Sequence, residues 1–183
     1  MRAAMTKDLT KYSKLLSLVL RHDPGSIGLT LDAEGWVDVS ALITAFPLPL
    51  DRDLLGQLVT SSDKQRFALS KDGTRIRANQ GHSVTVDLNL TVCFPPDQLF
   101  HGTATRFLDS IRRDGLIRRS RHHVHLSADI ETARRVGQRH GTPVVLRVDA
   151  RAMAEVGRLF WQSENGVWLT DAVAPQFLFE LPS

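Results

Sequence analysis

The seven residues Arg121-His122-His123-Val124-His125-Leu126-Ser127 constrain this chain more than any other stretch. Read as a β-strand, their period of two puts Arg121, His123, His125 and Ser127 on one face and Val124 and Leu126 on the other. The apolar face belongs in a core. The polar row then lines a cleft or faces water. In a cleft it supplies a fixed cation and several hydrogen-bonding groups, which suits a phosphorylated ligand. A solvated edge strand fits the same pattern, so the rest of the chain must decide.

With 183 residues the chain has room for one large domain or two small ones. An apolar share of 42% and a charged share of 23% place it among ordinary globular proteins. No apolar run approaches the roughly 20 residues of a membrane span. The opening MRAAMTKDLTKYSK lacks the apolar stretch of a secretory signal. Cys93 is the single cysteine, which excludes an internal disulfide and a cysteine-based zinc site. The expectation is a cytoplasmic protein. A net charge of +3, carried by arginine where lysine is scarce, favours directed phosphate contacts over diffuse attraction.

Local patterns divide the chain at 83/84. Leu9, Tyr12, Leu16, Val19 and Leu20 recur at helical spacing, which predicts a helix over 7–21 stopped by Asp23-Pro24-Gly25. Leu29-Thr30-Leu31 and Trp36-Val37-Asp38-Val39 read as short strands. A short helix capped by Ser40 and one over 52–60 follow, then strands over 66–69 and 75–78. Helices followed by a hairpin resemble a winged helix. In the second half Val84, Val86, Leu88 and Leu90 alternate as a strand would. Further strands fall at 99–101, 144–148, 159–161, 167–169 and 177–181. Helices fall at 105–114, at 129–140 behind an Asp129 cap, and at 150–156. The fold class expected is α+β in two lobes.

Several small constellations carry polar chemistry. Arg21-His22 closes the first helix, where cations are favourable with the macrodipole whether or not they bind a ligand. Arg66 opens a strand. Gln80-Gly81-His82-Ser83 is either a linker or a loop that approaches a ligand closely. His101-Gly102-Thr103 closes a strand and opens a helix, so its backbone N–H groups can take an anion or a carboxamide. A metal site among His122, His123 and His125 is disfavoured, because only two share a face and no Asp, Glu or Cys stands at zinc spacing. No Walker loop, no dinucleotide GxGxxG and no GxSxG elbow is present.

Together these pieces resemble the RNA 2′-phosphotransferase family, of the tRNA 2′-phosphotransferase or KptA type. The matching segments are Leu20-Arg21-His22-Asp23-Pro24, Gly28-Leu29-Thr30-Leu31-Asp32, Gly35-Trp36-Val37 and Asp63-Lys64-Gln65-Arg66-Phe67. They continue through 76–83, His101-Gly102-Thr103, 121–127, 136–141 and 163–170, in order along nearly the whole chain. Ala174 stands where the family usually has proline, away from these motifs.

The resemblance implies an N-terminal winged-helix-like lobe over 1–83 and a C-terminal ADP-ribosyltransferase-like lobe with a mixed β-sheet over 84–183, the active site lying between them. It implies NAD as co-substrate, no metal, and a monomer acting on RNA that bears an internal 2′-monophosphate, as tRNA splicing leaves. The 2′-phosphate attacks C1″ of the nicotinamide ribose and expels nicotinamide. A ribose hydroxyl of the ADP-ribosylated intermediate then attacks phosphorus, releasing RNA with a free 2′-OH and ADP-ribose 1″,2″-cyclic phosphate. The family's essential Arg-His-Arg-Arg set falls on Arg21, His22, Arg66 and Arg121. Arg21 and Arg66 are assigned to the 2′-phosphate, Arg121 to phosphate at the reacting centre, and His22 to protonation of the departing 2′-oxygen. NAD falls to His101, Gly102, Thr103, His125, Ser127 and Val167, and RNA to Gln80, His82 and Ser83.

That chemistry asks for positioning and charge stabilisation, because the substrates supply both attacking oxygens. Two other readings stay open on the sequence. One is an ADP-ribosyltransferase that stops after the first step and marks terminal phosphates of nucleic acid. The other is a winged-helix binding module without catalysis.

Overall fold

A computed structural model describes residues 2–61 and 65–181, with side chains from residue 9 onward. Asp63 and Lys64 of the fourth matching segment lie outside the described residues. The architecture is mixed helix and strand with several small sheets, and two compact units divide the chain into Met1–Asn89 and Leu90–Ser183. No helix among the described residues is long and apolar enough to cross a membrane.

The first unit is built on α1 (Arg2–Arg21), followed by β1 (Val37–Asp38), α2 (Val39–Ala45), α3 (Arg52–Thr60), β2 (Phe67–Leu69) and β3 (Arg75–Ala78). Helix α1 forms because its apolar residues return every three or four positions. Leu16, Val19 and Leu20 are fully buried against Leu42, Leu55, Phe67 and Ile76. Each such side chain contributes about 1.5–3 kcal/mol on burial. Tyr12 stacks on Phe46 with ring centroids 6.0 Å apart and donates its hydroxyl to the Pro49 carbonyl at 2.8 Å. Asp38 caps α2 by accepting from Ala41 N, so the cap falls two residues before the expected Ser40. Leu29-Thr30-Leu31 forms no strand.

Strands β1, β3 and β2 form one antiparallel sheet in that order, with Val37 opposite Ile76 and Phe67 opposite Ala78. The hairpin turn is held by Asp72, whose carboxylate accepts from Ser70 Oγ, Thr74 N and Thr74 Oγ1. These bonds lower its pKa to about 2. Residues 84–90 show the alternating burial that the pattern promised, yet no ladder forms there. Instead this segment is held to the first unit through Asp87 N, which donates to the Ala33 carbonyl, and Asn89 Nδ2, which donates to Glu34 Oε1.

The second unit runs β4 (Gln98–Ala104), α4 (Leu108–Asp114), β5 (Leu116–Ile117), β6 (Val124–Leu126), α5 (Ile130–Gly137) and β7 (Pro143–Asp149). It ends with α6 (Ala150–Glu155), β8 (Trp161–Gln162), β9 (Trp168–Thr170), β10 (Ala172–Val173) and β11 (Leu178–Glu180). One sheet orders β11-β7-β4, a second orders β6-β9-β8, and β5 pairs with β10. Every ladder among the described residues is antiparallel, where a mixed sheet was expected. Phe100 and Ser127 exchange two backbone hydrogen bonds, at 2.9 and 2.7 Å, which tie β4 to the end of β6. Leu99, Leu126, Leu146, Met153, Phe160 and Trp168 fill the core between these sheets.

Helix α5 lies directly on β4 because both surfaces carry glycine at the crossing. A Cβ built on Gly102 would fall onto the Ala133 carbonyl, and one on Gly137 would meet the Thr103 carbonyl. Asp129 caps α5 as expected, accepting from Thr132 N at 2.7 Å.

Candidate active site

In the first unit the end of α1, the approach to β2 and the loop after β3 converge. The Arg21 guanidinium lies over the Phe67 ring at 5.9 Å, and its Nη2 donates to the Arg66 carbonyl at 3.3 Å. The Arg21 carbonyl accepts from Ser83 N at 2.9 Å and Val84 N at 3.3 Å. His22 Nδ1 is hydrogen-bonded to Ser83 Oγ at 2.9 Å. The loop 80–84 therefore clasps the terminus of α1 from both sides. Gly81 makes this possible, with φ +85 and a Cα face only 3.7 Å, to a built Cβ, from Arg21 Nη1.

Arg21, His22 and Arg66, three of the four expected catalytic residues, thus stand in one cluster with Ser83, which was assigned to RNA. Arg21, Arg66, Gln80 and Gly81 are half-buried, and His22 and Ser83 are exposed. His82 is only 2% exposed and sits under Gly35, so it shapes the loop from within.

Sequence reasoning missed Asn79. Its backbone N–H donates to the Arg66 carbonyl at 3.0 Å and its Nδ2 to the Gln65 carbonyl at 2.6 Å. Gln65 sits at φ +39, a conformation costing a non-glycine residue about 1–2 kcal/mol, and Asn79 helps hold it there. The signal in the chain is position: Asn79 directly follows a strand and precedes a glycine loop. Asn79→Ala is expected to lower unfolding free energy by about 1–3 kcal/mol, since the Gln65 carbonyl loses a buried partner. A denaturant midpoint equal to that of the native chain would contradict this.

In the second unit the expected polar row is only partly a strand. β6 covers Val124–Leu126, with Val124 and Leu126 buried as the alternation required. Arg121, His122 and His123 precede the ladder in a bend, and Arg121 is exposed there. The bend is braced by Arg118 Nη1 donating to the His122 carbonyl at 3.3 Å. The His123 ring lies 4.8 Å from that of Trp161, and burial pushes its pKa down against the nearby Asp171. The ladder stops short because β9 offers partners only from Trp168 to Thr170.

His101 on β4 donates its Nδ1–H to the His125 carbonyl at 3.0 Å. The carbonyl can only accept, so the neutral ring presents Nε2 as an acceptor. Burial depresses the His101 pKa, His140 adds to that, and the bond to His125 opposes it. Thr103 is buried beside Gly102, and Ser127 is half-buried at the bridge to Phe100. Val167 lies one residue before β9, where its carbonyl accepts from Ser163 N and Ser163 Oγ.

The depressed His101 pKa carries a stability consequence. Above the unfolded value of about 6.5 the ring is neutral in both states and contributes nothing. As pH falls through that value the unfolded chain takes up a proton that the folded ring resists, so stability declines until the lower folded pKa is passed. His101→Asn keeps a donor near the His125 carbonyl. The variant is expected to lose less melting temperature between neutral and mildly acid pH than the native chain. Parallel melting curves would contradict the buried neutral ring.

The model of the RNA 2′-phosphotransferase, Tpt1 / KptA family matches residues 7–172 of this chain. A protein of Hahella chejuensis named "Probable RNA 2′-phosphotransferase" is 54% identical over 177 residues, covering 95% of each chain. One from Pseudomonas aeruginosa with the same name is 57% identical over 178 residues, covering 95% of this chain and 98% of its own. Another, from Nostoc punctiforme, is 54% identical over 173 residues, covering 93% and 96%.

Proposed function

Since this chain belongs to the RNA 2′-phosphotransferase, Tpt1 / KptA family, we propose that it is an NAD-dependent enzyme that removes an internal 2′-monophosphate from RNA. The observation that carries this reading is the cluster of Arg21, His22, Arg66 and Ser83, drawn together by the loop that clasps α1. Residues 1–89 are read as the winged-helix-type unit and 90–183 as the ADP-ribosyltransferase-type unit. The enzyme acts as a monomer in the cytoplasm, in RNA processing of the tRNA-splicing kind.

The donor set of the second unit suits NAD as co-substrate. His101 Nε2 is an acceptor for a ribose hydroxyl, Ser127 offers a half-buried hydroxyl at the bridge to Phe100, and Arg121 offers an exposed guanidinium to phosphate. Gly102 is committed to helix packing, so it serves this site through its backbone. NAD supplies an electrophilic ribose carbon for the 2′-phosphate and a ribose hydroxyl that afterwards takes the phosphorus.

The chain's own residues then have three tasks. Arg21 and Arg66 hold the phosphate, which carries close to two negative charges, with planar forks that match its oxygens. Arg121 neutralises charge at the reacting phosphorus. His22, oriented through Nδ1 by Ser83, protonates the departing RNA 2′-oxygen with its other nitrogen. A positioned acid of this kind is worth about 10²–10⁴-fold. Ser83→Ala leaves His22 in place but unoriented. It is expected to lower kcat about tenfold with little change in KM, and an unchanged kcat would remove Ser83 from this role.

The experiment mixes the purified protein with NAD and a short RNA bearing one internal 2′-phosphate, without added metal. RNA with a free 2′-OH, nicotinamide and ADP-ribose 1″,2″-cyclic phosphate are the expected products. RNA left carrying ADP-ribose would restrict the activity to the first step. Untouched NAD would favour a binding module.

A further inference from the structure

A second basic feature of the 90–183 unit lies outside the residues assigned to chemistry. Phe107 closes the short 3-10 turn Thr105–Phe107 after β4 and is half-buried. Two guanidiniums face its ring, Arg106 with Cζ at 4.7 Å from the centroid and Arg119 at 5.8 Å. The His140 ring meets it edge-on at 6.4 Å and 70°. Arg106, Arg119 and His140 are all exposed.

Arg112 and Arg113 contrast with them. Arg112 is paired with Glu180 and Asp109, and Arg113 with Asp114. Asp129 is spent on the α5 cap. Arg106 and Arg119 make no ion pair among the described residues. Cations gathered on an aromatic face without carboxylate partners leave the positive charge uncompensated while presenting flat surfaces. That combination matches single-stranded nucleic acid, where phosphates meet cations and unpaired bases stack on aromatic or guanidinium planes. A folded acidic protein would match the charge but leave the stacked planes unused. The chain also connects this feature to the proposed site: Arg119 stands two residues before Arg121, and Arg106 three after Thr103.

We propose that Phe107 with Arg106, Arg119 and His140 forms a docking surface for the single-stranded flank of the RNA substrate. Phosphates pair with the two arginines and a base stacks on the Phe107–Arg119 face. The surface adds affinity for longer RNA without reading its sequence. This rests on the RNA reading above, and it predicts behaviour that chemistry at Arg21, His22, Arg66 and Arg121 does not.

The test measures binding of a short fluorescent single-stranded RNA lacking any 2′-phosphate to the full chain, without NAD, across a salt series. Arg106→Gln/Arg119→Gln alters two exposed side chains and is expected to keep the native melting temperature. Its Kd should rise roughly tenfold, and its salt slope should flatten by about 1.4, at about 0.7 for each phosphate no longer neutralised. Phe107→Leu keeps an apolar side chain but removes the ring, and it should weaken binding several-fold with the salt slope unchanged. With a dinucleotide 2′-phosphate, which has no single-stranded flank, the double variant should turn over at the native rate. A double variant that binds the longer RNA with native affinity and slope overturns the surface, even where turnover shows the enzyme reading to be right. Native binding by the full chain without NAD consumption would instead overturn the enzyme reading and leave this surface standing. Failure of the native chain to bind this RNA at low salt also overturns the surface.

Discussion

Replacing Arg66 by alanine is expected to lower kcat/KM on 2′-phosphorylated RNA by about 10²–10³-fold, the loss that follows removal of one preorganised donor from a developing anion. Melting should shift by no more than a few degrees. The separation is possible because the backbone bonds at this position do not need the side chain. The Arg66 carbonyl accepts from Arg21 Nη2 at 3.3 Å and from Asn79 N at 3.0 Å, and any residue supplies that carbonyl. The side chain is only half-buried at the approach to β2, so its removal opens no deep cavity. Arg66→Lys should recover little, since an ammonium is a point charge where the phosphate asks for a planar fork. Steady-state kinetics beside a thermal melt decide it. An unfolded variant, or one with native turnover, would end the assignment of Arg66 to phosphate.

Gly102→Ala has the opposite signature, a large loss of stability reached without touching a charged group. The added Cβ would land on the Ala133 carbonyl, with Ala133 C and Gly137 N close behind. All three are backbone atoms of α5, which cannot swing aside as a flexible side chain can. The helix must lift from β4 or the strand must bend. Overpacking of this kind costs about 3 kcal/mol or more. At about 4–8 °C per kcal/mol for a unit of this size, melting should fall by about 12–24 °C. Because β4 also presents His101 and Thr103, activity should fall with it even below the melting range. A variant melting like the native chain would show that the close approach of α5 to β4 is absent in solution. His101-Gly102-Thr103 reads in sequence as a ligand motif. Its glycine is required first by packing.

Much of the local structure was legible from the residues. Helix α1 follows from the spacing of Leu9, Tyr12, Leu16, Val19 and Leu20, and it ends where Asp23-Pro24-Gly25 forbids another turn. Asp129 caps α5, and Lys71-Asp72-Gly73-Thr74 closes the β2–β3 hairpin. These features rest on interactions spanning a few positions, so the information lies within the window being read.

The cluster of Arg21, His22 and Arg66 was named from separate motifs, but nothing local shows them to be neighbours. Their meeting depends on the loop 80–84, some sixty positions from α1. Residues 84–90 have the alternation of a strand and half-bury alternate side chains, yet they form no ladder among the described residues. The Arg121–Ser127 row was read as one strand, and Arg121 and His123 fall outside it because β9 ends at Thr170. The two-residue pair β5–β10 has no local signature at all. What the sequence determined by itself was wherever the chain turns on its own neighbours: helix faces, caps and tight turns. Strand pairing, the approach of α5 to β4 and the gathering of the arginines were decided by the tertiary structure. In those cases each partner is supplied by residues far away along the chain, and no short window contains both.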